Sequence, residues 1–349
     1  MQKIKAKIHL GNIRRNAEKF SALTKKRLCA VVKANAYGHG AEEVASALHG
    51  VADCFAVAIL EEGIALRAVC GESILVFTPP IDEEESYVLA VNGLTASVGD
   101  LWTAKLLFRT CEKYRLPLKV HLKINTGMNR YGMNVSELGK VCKFLLGNPF
   151  ITVEGIYSHL YACDVETSRK QRGMFVQAIA VCKRYYPKVL CHLSATYGSL
   201  LGEKFSFDMT RVGIGLYGYL PSGAEALGER LHLEKGMTVY APIVASRKYS
   251  FGGMGYGTPT ALQKPTRISI NRYGYADGFL RQANNGTLHA EENVNTLCMD
   301  VCLKDNGKRR GVWTAVMTDA DEVARQTGTI SYEVLCAATR RAEFVYDND

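Results

Sequence analysis

The sequence lacks any apolar run that approaches the roughly 18 residues needed to span a bilayer. Its first residues, Met1 to Lys5, lack the apolar core of a signal peptide, so we expect no export. These absences favour a cytoplasmic protein, or the cytoplasmic domain of a longer membrane-anchored one. The sequence also lacks a CxxC pair. Its 11 cysteines are irregularly spaced, which argues against a disulfide framework or a zinc site, and we expect no metal.

A concentrated basic region is absent as well, although the net charge is +9. The basic residues occur in short groups without interleaved aromatic residues, such as Lys25-Lys26-Arg27, Arg309-Arg310 and Arg340-Arg341. Proteins that bind nucleic acid usually gather their positive charge on one face or along one helix. We therefore expect no nucleic-acid partner. The hydrophobic share of 47% is that of an ordinary globular protein.

Short β-branched runs alternate with helix-like stretches between about residues 25 and 218. Eight strands separated by helices are typical of parallel βαβ units, and eight is the number that closes a (β/α)8, or TIM-like, barrel. A doubly wound open sheet is the alternative, because periodicity alone does not show closure. The predicted strands are Leu28–Val32, Cys54–Leu60, Ser73–Phe77, Thr95–Val98, Leu118–Ile124, Ile151–His159, Val189–Leu193 and Thr210–Leu216. The predicted helices include Ala41–Leu48, Glu61–Val69, Leu101–Tyr114, Ser136–Leu146 and Ser168–Tyr186.

The pattern changes after Pro221. A linker with a short helix, Gly223–Lys235, precedes strand-like runs joined by turns rich in glycine and asparagine. We therefore predict an α/β protein with a barrel over residues 11–222, followed by a linker and a smaller C-terminal β domain over residues 223–349. A strand within residues 1–10 is expected to associate with the β domain. The predicted strands of that domain are Val239–Ser246, Arg267–Asn271, Gly311–Val316 and Glu343–Tyr346.

Lys33 directly follows the first predicted barrel strand, within the segment VVKANAYGHG (31–40). Active sites of such barrels lie at the carboxyl ends of the strands. The residues before Lys33 are small and apolar and those after it favour a turn, so its amine would lose solvation. Desolvation lowers the pKa of a lysine and favours Schiff-base chemistry. A solvated loop lysine is the simpler alternative.

This segment resembles the cofactor-binding lysine motif of the alanine racemases at all ten positions. Seven shorter segments resemble the same family in the same order, and they divide between barrel and β domain as the family's do. The resemblance implies an isomerase that depends on pyridoxal 5'-phosphate (PLP) and works as a homodimer with shared active sites. The segments are KINTGMNR (123–130), EGIYSH (154–159), RVGIGLYG (211–218), GYG (255–257), GYADG (274–278), CMD (298–300) and GTISYE (328–333).

The resemblance implies two bases. Lys33 holds PLP covalently and acts on one face of the substrate, and Tyr256 of the partner subunit acts on the other. Racemisation needs both, because a proton leaves one face of the α-carbon and another returns on the opposite face. The free pKa of a phenol, about 10, is too high for this task, so His159 and Arg211 are implied to support the tyrosine. Arg211 would also donate to the pyridine nitrogen, unless it makes an ordinary surface ion pair.

Other residues are implied at the two ends of the site. Neutral hydroxyls and backbone amides would hold the phosphate, from Tyr37, Thr196, Gly213, Ile214 and Tyr332. The substrate carboxylate would lie near Arg130 and the backbone of Met299, with Lys123, Tyr275 and Asp300 in support. Relatives often carry a carbamylated lysine at the position of Lys123, where it helps to place the arginine, and an unmodified lysine at the strand end is the alternative. Asn125 and Ala195 depart from the usual Asp and Asn of the family, which indicates a divergent branch.

Three alternatives stay open. A noncatalytic PLP-binding protein would lack the β domain, and a basic-amino-acid decarboxylase would lack the GYG segment at 255–257. A module that has lost activity would not be expected to keep both Lys33 and Tyr256. The family's preference is alanine, for the D-amino acids of peptidoglycan, and serine is the alternative substrate. Serine racemases of the membrane-anchored vancomycin-resistance type carry a divergent racemase domain of this length.

Overall fold

The computed structural model describes residues 3–252, 264–279, 288–289, 293–304 and 308–348. The N-terminal segment forms strand β1 (Lys5–His9), which runs directly into helix α1 (Leu10–Thr24). Helix α1 buries a stripe at Ile13, Ala17 and Phe20, the spacing of one helical face. The helix ends at Lys25, whose left-handed backbone donates its amide to the carbonyl of Ser21.

Eight parallel strands surround the centre of the larger domain. From β2 to β8 each strand is hydrogen-bonded to the next in the chain, and β9 returns to pair with β2. The amide of Arg211 also donates to the carbonyl of Ser194 (2.9 Å), which joins β9 to the end of β8. The ring is therefore nearly closed, so the predicted (β/α)8 barrel is confirmed and the open sheet is wrong. The strands are β2 (Arg27–Val31), β3 (Cys54–Val57), β4 (Ser73–Val76), β5 (Thr95–Val98), β6 (Leu118–Lys123), β7 (Ile151–Tyr157), β8 (Leu190–His192) and β9 (Met209–Val212).

Helices connect these strands around the outside of the ring. Three of them begin at an aspartate whose carboxylate accepts a hydrogen bond from the amide three residues on, namely at Asp82, Asp100 and Asp164. Such caps satisfy amides that the helix itself leaves unpaired and so fix the turn from strand to helix. The connecting helices are α2 (Lys33–Gly38), α3 (Ala41–Ala47), α4 (Leu60–Arg67), α5 (Glu83–Val91), α6 (Leu101–Tyr114), α7 (Val135–Leu145), α8 (Val165–Lys183), α9 (Thr196–Leu200) and α10 (Glu203–Ser206).

The C-terminal part of the chain is a second, mostly antiparallel sheet. Strand β1 lies within it, antiparallel to β10 (Met237–Tyr249) and parallel to the last strand, β16 (Glu343–Asp347). The short helix α11 (Glu225–Gly228) precedes the sheet, within the predicted linker. The remaining elements are β11 (Thr266–Asn271), β12 (Leu288–His289), β13 (Asn293–Leu297), β14 (Cys302–Lys304), β15 (Trp313–Met317), α12 (Ala320–Thr327) and α13 (Ser331–Ala338).

Some predicted strands were too long. β3, β7 and β9 end before the predicted Leu60, His159 and Leu216, and a 3-10 helix, Ile214–Tyr217, follows β9. After β9 the apolar residues Ile214 and Leu216 are still buried, so hydrophobicity alone overestimates the length of that strand. All 11 cysteines are free thiols. In the described part of the chain, no helix combines the length and apolar character needed to cross a membrane.

Candidate active site

A cavity of about 330 Å³ opens at the carboxyl ends of the barrel strands, large enough for a small ligand. Most of the residues predicted for the site line this one cavity, although the sequence scatters them over some 300 positions. Tyr256, the predicted second base, lies outside the described residues. The predicted residues that line the cavity are Lys33, Tyr37, Lys123, Arg130, His159, Thr196, Arg211, Gly213, Ile214 and Tyr332.

Lys33 lies where β2 passes into the cavity. The amide of Val32 still bonds to the carbonyl of Ala56 on β3 (2.9 Å), so the backbone is held up to the residue before the lysine. Burial lowers the pKa of the Lys33 amine, and the positive charge of Arg130 lowers it further against the opposing effect of Glu62. A lowered pKa enlarges the neutral, nucleophilic fraction of the amine at a given pH.

The backbone that follows Lys33 makes a left-handed turn. Residues Ala34–Tyr37 have φ between 51° and 54° and ψ between 38° and 50°. For non-glycine residues this conformation costs roughly 1–2 kcal/mol each, so the surrounding structure must impose it. The buried His39 donates through Nδ1 to the carbonyl of Ala36 (2.9 Å), and Glu62 accepts from the first amide of the turn (2.6 Å). These bonds fix the direction in which Lys33 leaves the strand.

The residues predicted to hold a phosphate lie together on one side of the cavity. The hydroxyl of Thr196 accepts from the amides of Gly213 (3.4 Å) and Gly215 (3.3 Å). A Cβ on Gly213 would lie 2.6 Å from the hydroxyl oxygen of Tyr37, so only glycine allows this close approach. The ring of Tyr332 lies 5.9 Å from that of Tyr37. Burial raises the pKa of both tyrosines, which keeps their hydroxyls neutral and able to donate.

Arg211 is buried, with 2% of its surface exposed. Its guanidinium donates to the carbonyl oxygens of Ser158 (2.6 Å) and Leu193 (3.0 Å), and no carboxylate among the described residues pairs with it. The interpretation as an ordinary surface ion pair is therefore wrong. Nη2 of Arg211 also lies 3.5 Å from Nδ1 of His159. Burial and then the charge of Arg211 hold the pKa of His159 well below its usual range, so this imidazole is neutral.

Two buried histidines continue the network away from the cavity, and we did not predict either of them. Nδ1 of His192 accepts from Arg211 (2.9 Å), so its Nε2 carries the proton and donates to Nδ1 of His121 (2.9 Å). A Cβ on Gly155 would lie 2.7 Å from the ring of His121, so glycine makes room for that ring. One indication of His121 was present in the sequence. Polar residues occupy every second position of β6, namely Lys119, His121 and Lys123, so the histidine lies on the same face as the predicted site residue Lys123.

Lys123 ends β6 inside the cavity, and 6% of its surface is exposed. Its amine lies 4.5 Å from the centre of the Tyr157 ring. Burial holds the pKa of Lys123 well below its usual range, and the cations Arg211 and Arg130 lower it further. The amine is therefore held towards its neutral form, which is the form that reacts with electrophiles.

The loop that leads from Lys123 to Arg130 is organised by Asn125, the residue that departs from the family's aspartate. Its side-chain oxygen accepts from the amides of Gly127 (3.0 Å) and Asn129 (3.1 Å). Its side-chain nitrogen donates to Oδ1 of Asn129 (2.9 Å), a bond that an ionised carboxylate at position 125 could not donate. Asn125 thus keeps the turn without bringing a negative charge to the loop that leads to Arg130.

Three predicted residues lie on the C-terminal domain and do not line the cavity of their own chain. The GYADG and CMD segments pack together, since the amide of Ala276 donates to the carbonyl of Met299 (2.9 Å). A Cβ on Gly274 would lie 2.3 Å from that same carbonyl oxygen, so the contact requires glycine. The side chains at the tip of this contact are exposed, and one of them, Asp300, accepts a hydrogen bond from Arg341 (3.1 Å); the other two are Tyr275 and Met299.

Comparison with known proteins covers almost the whole chain. A family model described as alanine racemase, N-terminal domain matches residues 8–221, and one described as alanine racemase, C-terminal domain matches residues 236–346. The alanine racemase of Lactobacillus delbrueckii subsp. bulgaricus is 32% identical, over 98% of this chain and 97% of the relative. That of Pseudomonas entomophila is 31% identical, over 97% of this chain and 98% of the relative.

Solved structures agree with these matches. The alanine racemase of Clostridium difficile 630 superposes with a TM-score of 0.90 at 28% identity, over 99% of this chain and 96% of the other. The alanine racemase of Bartonella henselae, whose structure has covalently bound pyridoxal phosphate, superposes with a TM-score of 0.87 at 26% identity, over 99% of this chain and 100% of the other. With both domains matched in sequence and the whole chain matched in fold, this protein belongs to the alanine racemase family.

Proposed function

We propose that this protein is a PLP-dependent alanine racemase that interconverts L- and D-alanine. The observation that carries the proposal is the placement of Lys33, an amine of lowered pKa at the end of a barrel strand, in one cavity with the buried guanidinium of Arg211. PLP bound there supplies an electron-withdrawing ring that acidifies the α-proton of an amino acid. The Bartonella henselae relative has this cofactor covalently bound.

The chemistry of the cavity suits PLP. The neutral hydroxyls of Tyr37, Thr196 and Tyr332 and the amides of Gly213 and Ile214 offer donors for a phosphate dianion without requiring a paired cation. The absence of a side chain on Gly213 leaves its backbone open beside Tyr37. At the opposite end Arg211 offers a donor that keeps its proton, since a guanidinium does not give one up. An aromatic nitrogen facing Arg211 would therefore accept a hydrogen bond and stay unprotonated.

Proton transfer requires one base on each face of the α-carbon. We assign Lys33 to one face, because its lowered pKa leaves more of the free amine neutral and able to accept the proton. We assign Tyr256 to the other face, by its place in the GYG segment. His159, which is neutral and lies against Arg211, would hold the tyrosine oxygen and stabilise its ionised form.

We further propose a homodimer whose two sites are each completed by the partner. Tyr275, Met299 and Asp300 protrude from the C-terminal domain and do not line the cavity of their own chain. The resemblance assigns these three residues to the substrate end of the site. They would contact the substrate if they entered the cavity of a second copy of the chain. The D-alanine produced would serve peptidoglycan synthesis in the cytoplasm.

The substrate carboxylate is assigned to Arg130, which lines the rim of the cavity. We propose that Lys123 is carbamylated, because its buried, neutral amine is the form that adds carbon dioxide. The carbamate would supply a negative charge close to Arg130 and Arg211. This charge would partly compensate for the carboxylate that the family's aspartate supplies and Asn125 does not. Carbamylation also removes the cost of burying an ammonium beside two guanidinium groups.

A single set of measurements tests the main proposal. The purified protein should bind PLP, absorb near the edge of the visible range, and racemise L-alanine faster than L-serine. Borohydride should fix the cofactor on Lys33, which mass mapping of the peptides would show, and Lys33→Ala should lose the fixed label. Lys105→Ala, an exposed lysine on α6, serves as the matched control. A protein that stays colourless and inactive with added PLP would contradict the proposal.

A further inference from the structure

A second concavity lies at the amino ends of the barrel strands, opposite the candidate active site. It has a volume of about 620 Å³ and is open to solvent. Its walls are the chain entering β2 at Lys25–Arg27, the end of α8, and the residues 187–190 that lead into β8. We call this concavity the basal groove. None of the described residues of the racemase site lines it.

The basal groove is strongly positive. Five basic side chains line it, against two carboxylates, which leaves a net charge of +3 (5 − 2). The two carboxylates already accept hydrogen bonds from backbone amides, Asp53 from Leu28 (2.8 Å) and Asp208 from Cys191 (2.8 Å). Within the described ranges, none of the five cations makes an ion pair. They are Lys25, Lys26, Arg27, Lys183 and Lys188.

The backbone around the groove is well fixed. The amide of Lys25 bonds to Ser21 at the end of α1, and Arg27 lies in the parallel ladder between β2 and β9. Lys183 is the last residue of α8, and Pro187 restricts the chain before Lys188. The charges are therefore gathered on a rigid frame rather than on a mobile tail. Like charges gathered in this way repel one another, which opposes folding unless an anion compensates them.

We propose that the basal groove binds a small polyanion of the oligophosphate class with three or more negative charges. The net charge of +3 matches a triphosphate better than a single phosphate, and the volume falls in the range of sites for nucleotide-sized molecules. Among the described residues, no aromatic side chain lines the groove, so the bases of a single strand would have no ring there to stack on. The chemistry therefore favours a compact oligophosphate over a nucleic acid.

Isothermal titration calorimetry on the PLP-loaded dimer tests the proposal, because bound PLP occupies the phosphate end of the racemase site. Inorganic tripolyphosphate and ATP, in magnesium-free buffer, are the two probes, and a 12-nucleotide single strand is the comparison. We expect one saturable site per chain for tripolyphosphate. Similar affinity for ATP would indicate recognition of the phosphates alone, and tighter binding of ATP would indicate that the nucleoside also contributes.

The triple variant Lys25→Gln, Lys26→Gln, Lys188→Gln should weaken tripolyphosphate binding about tenfold or more, because three charge-assisted contacts are lost. Lys105→Gln, Lys140→Gln, Lys143→Gln removes the same charge from exposed positions on α6 and α7 and should leave binding nearly unchanged. The control triple should keep the melting temperature of the parent, since its side chains are exposed, and the groove triple should keep or raise it, since repulsion among the groove cations is relieved. Absence of a saturable site, equal weakening in both triples, or tighter binding of the single strand than of either oligophosphate would overturn the proposal.

Discussion

Arg211 donates a hydrogen bond to Nδ1 of His192 (2.9 Å), and Nε2 of His192 donates in turn to Nδ1 of His121 (2.9 Å). The direction of each bond is set by chemistry, because a guanidinium only donates and therefore His192 must accept at Nδ1. Burial lowers the pKa of both histidines, so neither competes with Arg211 for positive charge. The two histidines of the barrel interior thus hold Arg211 in one orientation on the side away from the cavity.

Replacing His192 with phenylalanine should test this support. The aromatic ring would still stack on Tyr157, 5.0 Å away, but one buried donor of Arg211 would lose its acceptor. We expect a loss of about 1–3 kcal/mol in the free energy of unfolding, measured by urea titration, and a shift in the absorption band of bound PLP. His49→Phe, at an exposed position, should change neither the band nor the stability by more than about 0.5 kcal/mol. An unchanged band in His192→Phe would show that Arg211 does not depend on the histidine.

His39 should make the protein sensitive to acid. Burial lowers its pKa from 6.5 to about 4 in the folded state. As the pH falls, the unfolded chain therefore binds a proton at His39 at a higher pH than the folded protein does. The contribution of His39 to stability is therefore complete above about pH 6.5 and is lost as the pH falls towards 4, by an amount on the order of 3 kcal/mol. We expect His39→Asn to lower stability at pH 7 but to flatten the decline between pH 6.5 and 4, relative to the parent and to His49→Asn. Parallel declines in all three proteins, followed by urea unfolding at each pH, would contradict this.

Gly213 should control cofactor affinity through Tyr37. Gly213→Ala tests this, because it adds a Cβ beside the Tyr37 hydroxyl. The new Cβ would lie 2.6 Å from the Tyr37 hydroxyl oxygen and force the ring away from the phosphate end. We expect the Kd for PLP, measured by fluorescence titration of the apoprotein, to rise about tenfold or more. Gly173→Ala, in α8 with nothing near its Cβ, should leave the Kd unchanged and add up to about 1 kcal/mol of stability.

The sequence predicted the barrel well because its strands are short, apolar and separated by amphipathic helices. Thr95–Val98 and Leu101–Tyr114 were predicted with the bounds that the structure has. Helix α1 was missed although its apolar stripe has helical spacing, and α13 was missed because Ser331–Ala338 is short and carries no cap signal. The grouping of the site residues came from the resemblance to the family. The roles of His121 and His192 could not be predicted, since only closure of the ring brings β6, β8 and β9 around one interior.

A subunit-mixing experiment should show whether the sites are shared. Lys33→Ala chains and Tyr256→Phe chains would each be inactive alone, because each lacks one of the two bases. If the partner supplies Tyr256, one site of every hybrid dimer holds both bases, and mixing should restore up to about a quarter of the parental activity at equal amounts, since half the dimers are hybrids with one intact site. Subunit exchange would be verified by mass spectrometry of differently labelled chains. Exchange without recovery would favour sites completed within one chain.

Tyr332 should limit the size of the substrate side chain. It lines the cavity at the start of α13, and its ring packs 5.9 Å from that of Tyr37, on the side assigned to the phosphate. We expect a ring in this position to leave room for the methyl group of alanine and to crowd the hydroxymethyl group of serine. An apolar pocket rejects an added hydroxyl by about a hundredfold at most, so serine should be a poor substrate rather than an inert one.

Tyr332→Asn would open space and offer a hydrogen-bond partner to the hydroxyl. Both activities should fall, because a donor to the phosphate is lost, and the ratio of kcat/KM for serine to that for alanine is therefore the diagnostic quantity. We expect this ratio to rise about tenfold, which corresponds to one new hydrogen bond in the site. Tyr114→Asn, on the outer face of α6 and exposed, should leave the ratio unchanged. A parent enzyme that already prefers L-serine by a wide margin, or a ratio that does not move in Tyr332→Asn, would show that another residue sets the pocket.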